Sequence, residues 1–149
     1  MSTTRVSFYI VPEREVYPFL CRFTDKVYRM GHKVYIHTLP EHAHYVDELL
    51  WQLEPEHFVP HGLIDENLVP PPPVQIGFGA PHPHWNSDVL INLAPEVPNF
   101  FQKFQRIVEV VPQDNHIKTY TRNHYRFYHQ QGLPIQSHDL TESEAPAAH

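Results

Sequence analysis

Residues 5–38 read RVSFYIVPEREVYPFLCRFTDKVYRMGHKVYIHT, and this stretch decides the fold. Its first seven residues, RVSFYIV, are apolar and rich in β-branched and aromatic side chains, which predicts a buried strand. Apolar residues then recur at helical spacing from Val16 to Met30, and Gly31 stands where a helix would end. Residues 33–38, KVYIHT, have the composition of a second strand. This order of elements predicts a parallel sheet with crossover helices.

The rest of the chain adds two predicted helices and three predicted strands. Residues 38–41, Thr-Leu-Pro-Glu, resemble a capping box at the start of a second helix, which the apolar spacing extends to Leu53. Asp114 stands where a last helix would begin, and Gly132 follows its expected end near Gln131. Three further short apolar segments predict strands at 74–78 (VQIGF), 89–93 (VLINL) and 107–111 (IVEVV).

The order of these elements predicts one α/β domain over residues 1–133. We expect a three-layer α/β/α architecture with a mostly parallel, Rossmann-like sheet of about five strands. Residues 134–149 are polar and rich in Ala, Pro and Glu, so we expect a flexible C-terminal tail there.

The composition excludes several classes of protein. A chain of 149 residues, of which 41% are hydrophobic and 19% charged, has the length of one domain and is too apolar to be disordered. The net charge of −6 argues against a surface that binds nucleic acid everywhere, although it leaves room for a local basic patch. Its one cysteine, Cys21, excludes an internal disulfide framework. No apolar run reaches the length of a membrane span, so we expect a cytoplasmic protein without a membrane partner.

The sequence lacks the motifs of nucleotide binding and of catalysis. The loop after the first strand, Val11-Pro-Glu-Arg-Glu15, has no glycine, and neither GxxxxGK nor GxGxxG occurs in the chain. Among the 13 histidines, His57 and His61 have the spacing of a helical zinc site, but Pro60 lies between them and disfavours a helix. We therefore predict no catalytic residue, no metal site and no cofactor.

The predicted last helix carries the most informative side chains. Lys118, Arg122 and Arg126 follow one another at i, i+4 and i+8, and Tyr125 stands between the last two. The opposite face, which we expect to pack on the sheet, carries Ile117, Tyr120, His124, Phe127 and Tyr128. The basic strip is either an ordinary solvated face or a site for an anion that also offers an apolar group. A nucleic-acid strand and an acidic peptide are the two candidates.

A second segment, residues 51–61, has the sequence WQLEPEHFVPH. Trp51 stands at the end of the second predicted helix, and Phe58, Val59 and Pro60 follow in an irregular stretch. Large apolar residues of this kind can belong to the core, but on a loop they are also typical of a protein interface. The pattern by itself leaves both interpretations open.

These two segments, together with their neighbours, resemble the chi subunit of bacterial DNA polymerase III. The resemblance covers roughly residues 5–133 and rests on a combination of motifs in a fixed order. The motifs are VSFYIV at 6–11, GHKVYI at 31–36, DELLW at 47–51, FVPH at 58–61, SDVLINL at 87–93 and Val111-Pro112, followed by the basic helix.

The resemblance implies an accessory subunit, not itself an enzyme, of a holoenzyme that is a DNA-directed DNA polymerase. It implies one partner in the psi subunit, which would tether the chain to the clamp loader. The other implied partner is the acidic C-terminal tail of the single-stranded DNA-binding protein, a peptide that ends in Pro-Phe. This contact would link the chain indirectly to single-stranded DNA. The residues in the positions of the tail site are Val111, Lys118, Arg122, Tyr125 and Arg126. Those in the positions of the psi interface are Trp51, Phe58, Val59 and Pro60.

Two other functions remain open at this point. A Rossmann-like nucleotide-binding protein is the first, and it would need a phosphate-binding loop that the sequence does not contain. Direct binding of single-stranded nucleic acid to the basic strip is the second. Both differ from the accessory subunit that the resemblance implies in what the chain binds, so binding measurements distinguish the three functions.

Overall fold

The chain folds into the strands and α-helices of an α/β protein. The computed structural model describes residues 4–53, 55–64, 70–79, 88–113 and 118–141, and of residues 118–120 it describes the backbone alone. The strands in these ranges are β1 (Arg5–Val11), β2 (Val34–His37), β3 (His61–Leu63), β4 (Val74–Gly77), β5 (Val89–Asn92), β6 (Arg106–Pro112) and β7 (Ile135–Asp139). The α-helices are α1 (Val16–Arg29), α2 (Pro40–Trp51) and α3 (Lys118–Gln130), and they come after β1, β2 and β6. None of these described helices is long and apolar enough to cross a membrane.

The strands form one sheet in the order β3-β4-β2-β5-β6-β1-β7, and every neighbouring pair is parallel. The predicted α/β class and parallel sheet are therefore confirmed. The described residues contribute seven strands instead of about five, because β3 and β7 were not expected. Strand β3 has three residues, HGL, which is too few for a recognisable pattern. Strand β7, IQSHD, is largely polar and lacks the apolar signal of a buried strand.

Strand β7 lies in the region for which the sequence predicts a flexible tail, residues 134–149. Instead, Ile135–Asp139 pair in parallel with β1. The position explains the composition: β7 is an edge strand with mostly exposed or half-buried side chains, so few apolar residues are needed. The sheet therefore extends past residue 134. The last part of the predicted tail, residues 142–149, lies outside the described residues.

The helices cover both faces of the sheet, which gives the predicted three layers. One face packs against α1 and α2, and the core between them includes Leu20 and Val46. The other face packs against α3 and the short 3-10 helix Phe101–Lys103, and this core includes Tyr35 and Tyr128. Apolar residues of both cores are buried almost completely, so the sheet is covered on both sides as a parallel sheet requires.

Strand β6 contributes to both cores in alternation. Val108 and Val110 belong to the core under α1 and α2, whereas Ile107 and Val111 belong to the core under α3. Glu109 stands between them and contacts residues of α3, so it points to the same side as Ile107 and Val111. A carboxylate is thus buried between the apolar residues of β6.

The start of α2 differs from the predicted capping box. The helix begins at Pro40 with Leu39 as its N-cap, and no side chain caps it. The backbone N–H of Thr38 donates to the carbonyl oxygen of Gly77 at 3.0 Å, so Thr38 extends the pairing of β2 with β4 instead. Proline at the first helical position favours helix initiation, because that position needs no hydrogen-bond donor.

Gly77, the last residue of β4, allows a buried tyrosine ring to lie against the backbone. A Cβ atom placed on Gly77 would lie 1.9 Å from Oη of Tyr35, and Tyr35 is 0% exposed. Burial raises the pKa of Tyr35, and its Oη has no hydrogen-bond partner in the described part of the chain. The tyrosine is therefore held by packing, and the absence of a side chain at position 77 is part of that packing.

We expect Gly77→Ala to lower the free energy of unfolding by about 2 kcal/mol, because the added methyl group overpacks a site that has no room to expand. Urea unfolding followed by circular dichroism measures the change. The same substitution in a Tyr35→Phe background, which lacks the nearest atom, should cost less. An equal cost in both backgrounds would show that the contact with Oη is not the cause.

We also expect a chain that ends at residue 133 to be less stable than one that ends at residue 141. The shorter chain lacks β7 and leaves the outer edge of β1 unpaired, whereas the longer one keeps the strand. Urea midpoints of the two chains give the comparison. Identical midpoints would mean that β7 contributes nothing to stability.

Candidate functional site

Helix α3 packs on the sheet with the face that the apolar spacing predicts. His124 and Tyr128 are buried, and Phe127 is half-buried. Two further residues predicted for this face, Ile117 and the side chain of Tyr120, lie outside what the structure describes. The orientation of the helix is thus fixed by its second half.

The opposite face of α3 exposes two of the predicted cations. Arg122 and Arg126 are exposed, and neither guanidinium forms an ion pair within the described residues. On α1, by contrast, Nε of Arg29 lies 2.6 Å from Oδ1 of Asp25. The two cations of α3 are therefore available to an external anion, although the chain as a whole has a net charge of −6. Lys118 is the first residue of α3, and its side chain lies outside the description.

Tyr125 provides an apolar surface beside these cations. Its side chain is 45% exposed, and its ring lies 5.9 Å from the ring of Phe8 on β1. The ring of His129 stacks on it at 6.4 Å with an interplanar angle of 13°. A surface groove of about 240 Å³ is lined by Tyr125, Arg126, His129 and Gln130. An aromatic surface and a cation thus share one groove.

Val111 lies near the end of β6, close to the start of α3. With Pro112 and Thr121 it lines a cavity of about 380 Å³ at the carboxyl edge of the sheet. Its side chain is 7% exposed and belongs to the core under α3. A ligand could therefore contact a small part of Val111, on the same side of the sheet as the exposed residues of α3.

A buried carboxylate joins β6 to α3. Glu109 is 4% exposed, and its Oε2 accepts hydrogen bonds from Nδ2 of Asn92 at 3.0 Å and from Oη of Tyr128 at 2.5 Å. Nδ1 of His124 lies 3.0 Å from Oε1 of the same carboxylate. Nε2 of the same ring lies 2.7 Å from the carbonyl oxygen of Pro95, in the loop after β5.

The pKa values of two members of this network are shifted. Burial lowers the pKa of His124, but the hydrogen bond and charge of Glu109, the carbonyl of Pro95 and the charge of Glu96 outweigh it, so the pKa lies above 6.5. Burial and the neighbouring carboxylate raise the pKa of Tyr128. Both shifts favour the protonated forms of His124 and Tyr128, which keep their protons and donate hydrogen bonds to Glu109.

Sequence reasoning did not single out Glu109, although one signal was present. It is the only charged residue of the predicted buried strand IVEVV, and a buried charge needs partners. The partner could not be found in the same way. His124 is 15 residues further along the chain, and no spacing rule relates a strand residue to a residue of the following helix.

The second predicted surface lies at the end of α2. Trp51 is 58% exposed, and its ring lies 5.3 Å from Phe58 and 5.0 Å from His61. Phe58 is half-buried, and Pro60, two residues further along, is exposed. The structure thus brings Trp51 and Phe58 into contact beside β3, with Pro60 nearby.

Val59 differs from its neighbours because it is 0% exposed and belongs to the core under α1 and α2. It cannot contact a partner in this structure, and it anchors the segment instead. Two side chains of α1 also hold the segment. Nη2 of Arg29 donates to the carbonyl oxygen of Glu56, and Oδ2 of Asp25 lies 3.2 Å from Nδ1 of His57.

The carboxyl edge of the sheet has no phosphate-binding loop in the described residues. After β1 the chain continues through Pro12 into the 3-10 helix Glu13–Glu15, so a proline and two carboxylates stand where a glycine-rich loop would be. No three His, Cys, Asp or Glu side chains are grouped as metal ligands within the described ranges. His57 lies beside Asp25, and His61 lies beside Asp47.

The chain is similar to named proteins in several bacteria. A family model described as "DNA polymerase III chi subunit, HolC" matches residues 3–136. A DNA polymerase III subunit chi of Pseudomonas aeruginosa is 38% identical over 141 residues, which cover 92% of this chain and 97% of the relative. A protein of the same name from Haemophilus influenzae is 34% identical over 137 residues, covering 89% and 95%. One from Escherichia coli is 29% identical over 119 residues, covering 79% and 81%.

The match to the family model spans nearly the whole of the described sheet, from β1 to the beginning of β7. The relatives from Pseudomonas aeruginosa and Haemophilus influenzae are covered almost from end to end. The chain belongs to the DNA polymerase III chi subunit family.

Proposed function

We propose that the chain is an accessory, non-catalytic subunit of the DNA polymerase III holoenzyme, which is a DNA-directed DNA polymerase. In this role it is an adaptor. One surface binds the psi subunit and, through it, the clamp loader, and the other binds the acidic C-terminal tail of the single-stranded DNA-binding protein. Its association with single-stranded DNA is then indirect, and it acts in the cytoplasm, where the bacterial chromosome is replicated. Family membership and the presence of two separate exposed aromatic surfaces support the proposal.

One observation carries the tail site: Arg122 and Arg126 are exposed beside the half-exposed ring of Tyr125 and have no ion pair in the described residues. Residues at i and i+4 of a helix are neighbours, with Cβ atoms about 6 Å apart. That spacing suits two carboxylates of a single peptide. A guanidinium can bind a terminal carboxylate through two parallel hydrogen bonds, and we assign this contact to Arg122.

The remaining contacts follow from the chemistry of an acidic peptide that ends in Pro-Phe. We assign its acidic side chains to Lys118 and Arg126 and its phenylalanine ring to Tyr125 and Val111. The net charge of −6 repels such a peptide at long range, so binding depends on direct contact with the basic strip. Because the direct contacts with Arg122 and Arg126 are ion pairs between exposed groups, salt should weaken the binding of the peptide.

The psi interface is supported by an exposed tryptophan on a segment that is held in place. Tryptophan is the side chain most enriched among the residues that dominate binding energy at protein interfaces. Here Trp51 packs against Phe58, while buried Val59 and the hydrogen bonds of Arg29 fix the segment behind it. A surface that is already ordered loses little conformational entropy when a partner binds.

Arg122→Ala is expected to weaken the binding of an N-acetylated acidic peptide ending in Pro-Phe by at least about tenfold, since hydrogen bonds to charged groups contribute about 1.5–3 kcal/mol. Fluorescence anisotropy at low and high salt measures the affinity. Arg22→Ala is the matched control, because it removes the same charge from an exposed arginine of α1 and should leave the affinity within about twofold.

Equal losses in the two variants, or no loss in Arg122→Ala, would refute the tail site. The same titrations test the alternatives. If a bare oligonucleotide binds as tightly as one coated by the single-stranded DNA-binding protein, direct binding of nucleic acid is the better explanation. A thermal shift of several degrees with ATP or NAD would favour a nucleotide-binding protein.

Trp51→Ala is expected to reduce strongly the co-purification of the chain with tagged psi subunit, because it removes the largest exposed side chain of the proposed interface. Tyr45→Ala is the matched control: Tyr45 lies on the same helix, is 52% exposed and is not part of that interface. Quantified pull-downs from co-expressing cells give the ratio of the two proteins. Full recovery of psi with Trp51→Ala would mean that the interface lies elsewhere.

A further inference from the structure

We propose that Glu109 and His124 form a buried ion pair that holds α3 on β6 in the position that the tail site requires. This inference rests on the proposed tail site and adds two positioning residues that need not touch the peptide. The pair adjoins the site in both elements. Glu109 is two residues before Val111 on β6, and His124 lies between Arg122 and Tyr125 on α3.

The hydrogen bonds of His124 indicate its charge. Nδ1 lies 3.0 Å from Oε1 of Glu109, and Nε2 lies 2.7 Å from the carbonyl oxygen of Pro95. A carboxylate and a carbonyl oxygen both accept, so both ring nitrogens have to donate. A neutral imidazole has one N–H and would leave two acceptors facing each other. The geometry therefore fits the imidazolium.

Glu109 accepts two further hydrogen bonds. Oη of Tyr128 and Nδ2 of Asn92 both donate to Oε2, at 2.5 Å and 3.0 Å. All of these contacts place a donor against the carboxyl group, which is the arrangement that an acceptor-only carboxylate fits. With the imidazolium of His124 as one of the donors, the contact is an ion pair of two buried groups.

The network restrains α3 in more than one direction. Glu109 belongs to β6, Asn92 to β5 and Pro95 to the loop after β5, whereas His124 and Tyr128 belong to α3. A shift or rotation of the helix would break at least one hydrogen bond to a buried group, which is costly because water cannot replace the bond. The placement of the exposed side of α3 relative to β6 therefore depends on these bonds.

The ion pair makes this restraint dependent on pH. In the part of the chain that the structure describes, the ionisable groups found to act on the His124 ring are Glu109 on β6 and Glu96 in the loop after β5, and Tyr128 of α3 shares the carboxylate of Glu109. Burial lowers the pKa of His124, but the two carboxylates and the carbonyl of Pro95 raise it by more, to above 6.5. The stabilisation is thus complete below pH 6.5 and is lost as the pH rises through the raised pKa.

The test is the affinity of the full chain for the N-acetylated peptide ending in Pro-Phe, measured between pH 6.0 and 8.5. Arginine, lysine and the carboxylates of the peptide keep their charges in this window. We expect the affinity of the wild-type chain to fall about fivefold as the pH rises. Glu109→Gln keeps the shape of the side chain but removes its charge, so it should bind more weakly at pH 6.0 and change little with pH.

A matched control separates His124 from His129, the histidine that lines the groove within the described ranges. His129 stacks on Tyr125, and its protonation would also attract an anion at low pH. His129→Gln should keep the pH dependence, whereas His124→Gln should lose it. Thermal unfolding at pH 6.0 identifies any variant that does not fold. If the dependence disappears in His129→Gln and persists in Glu109→Gln, the inference is wrong.

A measurement on the wild-type chain needs no variant. The ¹⁵N chemical shifts of the His124 imidazole report whether one or both nitrogens carry a proton. We expect both to be protonated at pH 6.0, with a transition above pH 6.5, and a singly protonated ring at pH 6.0 would overturn the ion pair. If the ring is an imidazolium but no peptide binds at any pH, the ion pair is supported and the proposed tail site is at fault.

Discussion

A carboxylate buried near the middle of the sheet constrains the arrangement of α3 and of everything that α3 presents. Glu109 lies on β6, between β5 and β1, and a charge in that position is unfavourable unless hydrogen-bonding partners surround it. Two of the partners, His124 and Tyr128, are four residues apart and therefore share one face of the helix. Because both must face Glu109, the rotation of α3 about its axis is determined. Arg122 and Arg126 then face outward.

The two candidate surfaces lie far enough apart to be occupied together. Trp51 is at the end of α2 beside the edge strand β3, whereas the basic strip is on α3, which packs over β6 and β1 on the other face of the sheet. Four strand spacings separate β3 from β6, which is about 19 Å at 4.8 Å per spacing. An adaptor needs this separation, since two partners that compete for one surface cannot be linked by it.

The strands and helices that the sequence predicts are those with a clear apolar signal. Helix α1 is predicted from the helical spacing of its apolar residues, and strands β1 and β2 from their content of β-branched and aromatic residues. Strand β7 has neither signal, because an edge strand that exposes its side chains needs few apolar residues. Val59 shows the same limit at a single residue. In an irregular segment neither the helical period of 3.6 residues nor the strand period of two applies. No pattern in the sequence therefore distinguishes buried Val59 from its exposed neighbour Pro60.

The sequence predicts the exposed arginines of the candidate site but not the buried contact between Glu109 and His124. The i, i+4 spacing of Arg122 and Arg126 is a property of one helix, and it places both on one face before any tertiary structure is known. The pairing of Glu109 with His124 depends on how a helix docks on a strand, and that geometry is set by the packing of many residues at once. Sequence reasoning could state that Glu109 needs a partner, but not which residue provides it.

The polar groups at the carboxyl edge of the sheet help to explain why the proposed binding surfaces lie elsewhere. In parallel α/β sheets, ligands bind in the crevice at this edge. Here one cavity at the edge is lined by Glu13 and Glu109, and the loop after β1 lacks the glycines that bring backbone N–H groups to a phosphate. Three polar groups near this cavity are used internally, since Glu109, Asn92 and the carbonyl of Pro95 bond to one another or to α3. The edge of the sheet that binds ligands in other parallel α/β proteins thus carries groups that hold α3 in this chain. The two proposed binding surfaces accordingly lie elsewhere, on the outer face of that helix and at the far edge of the sheet.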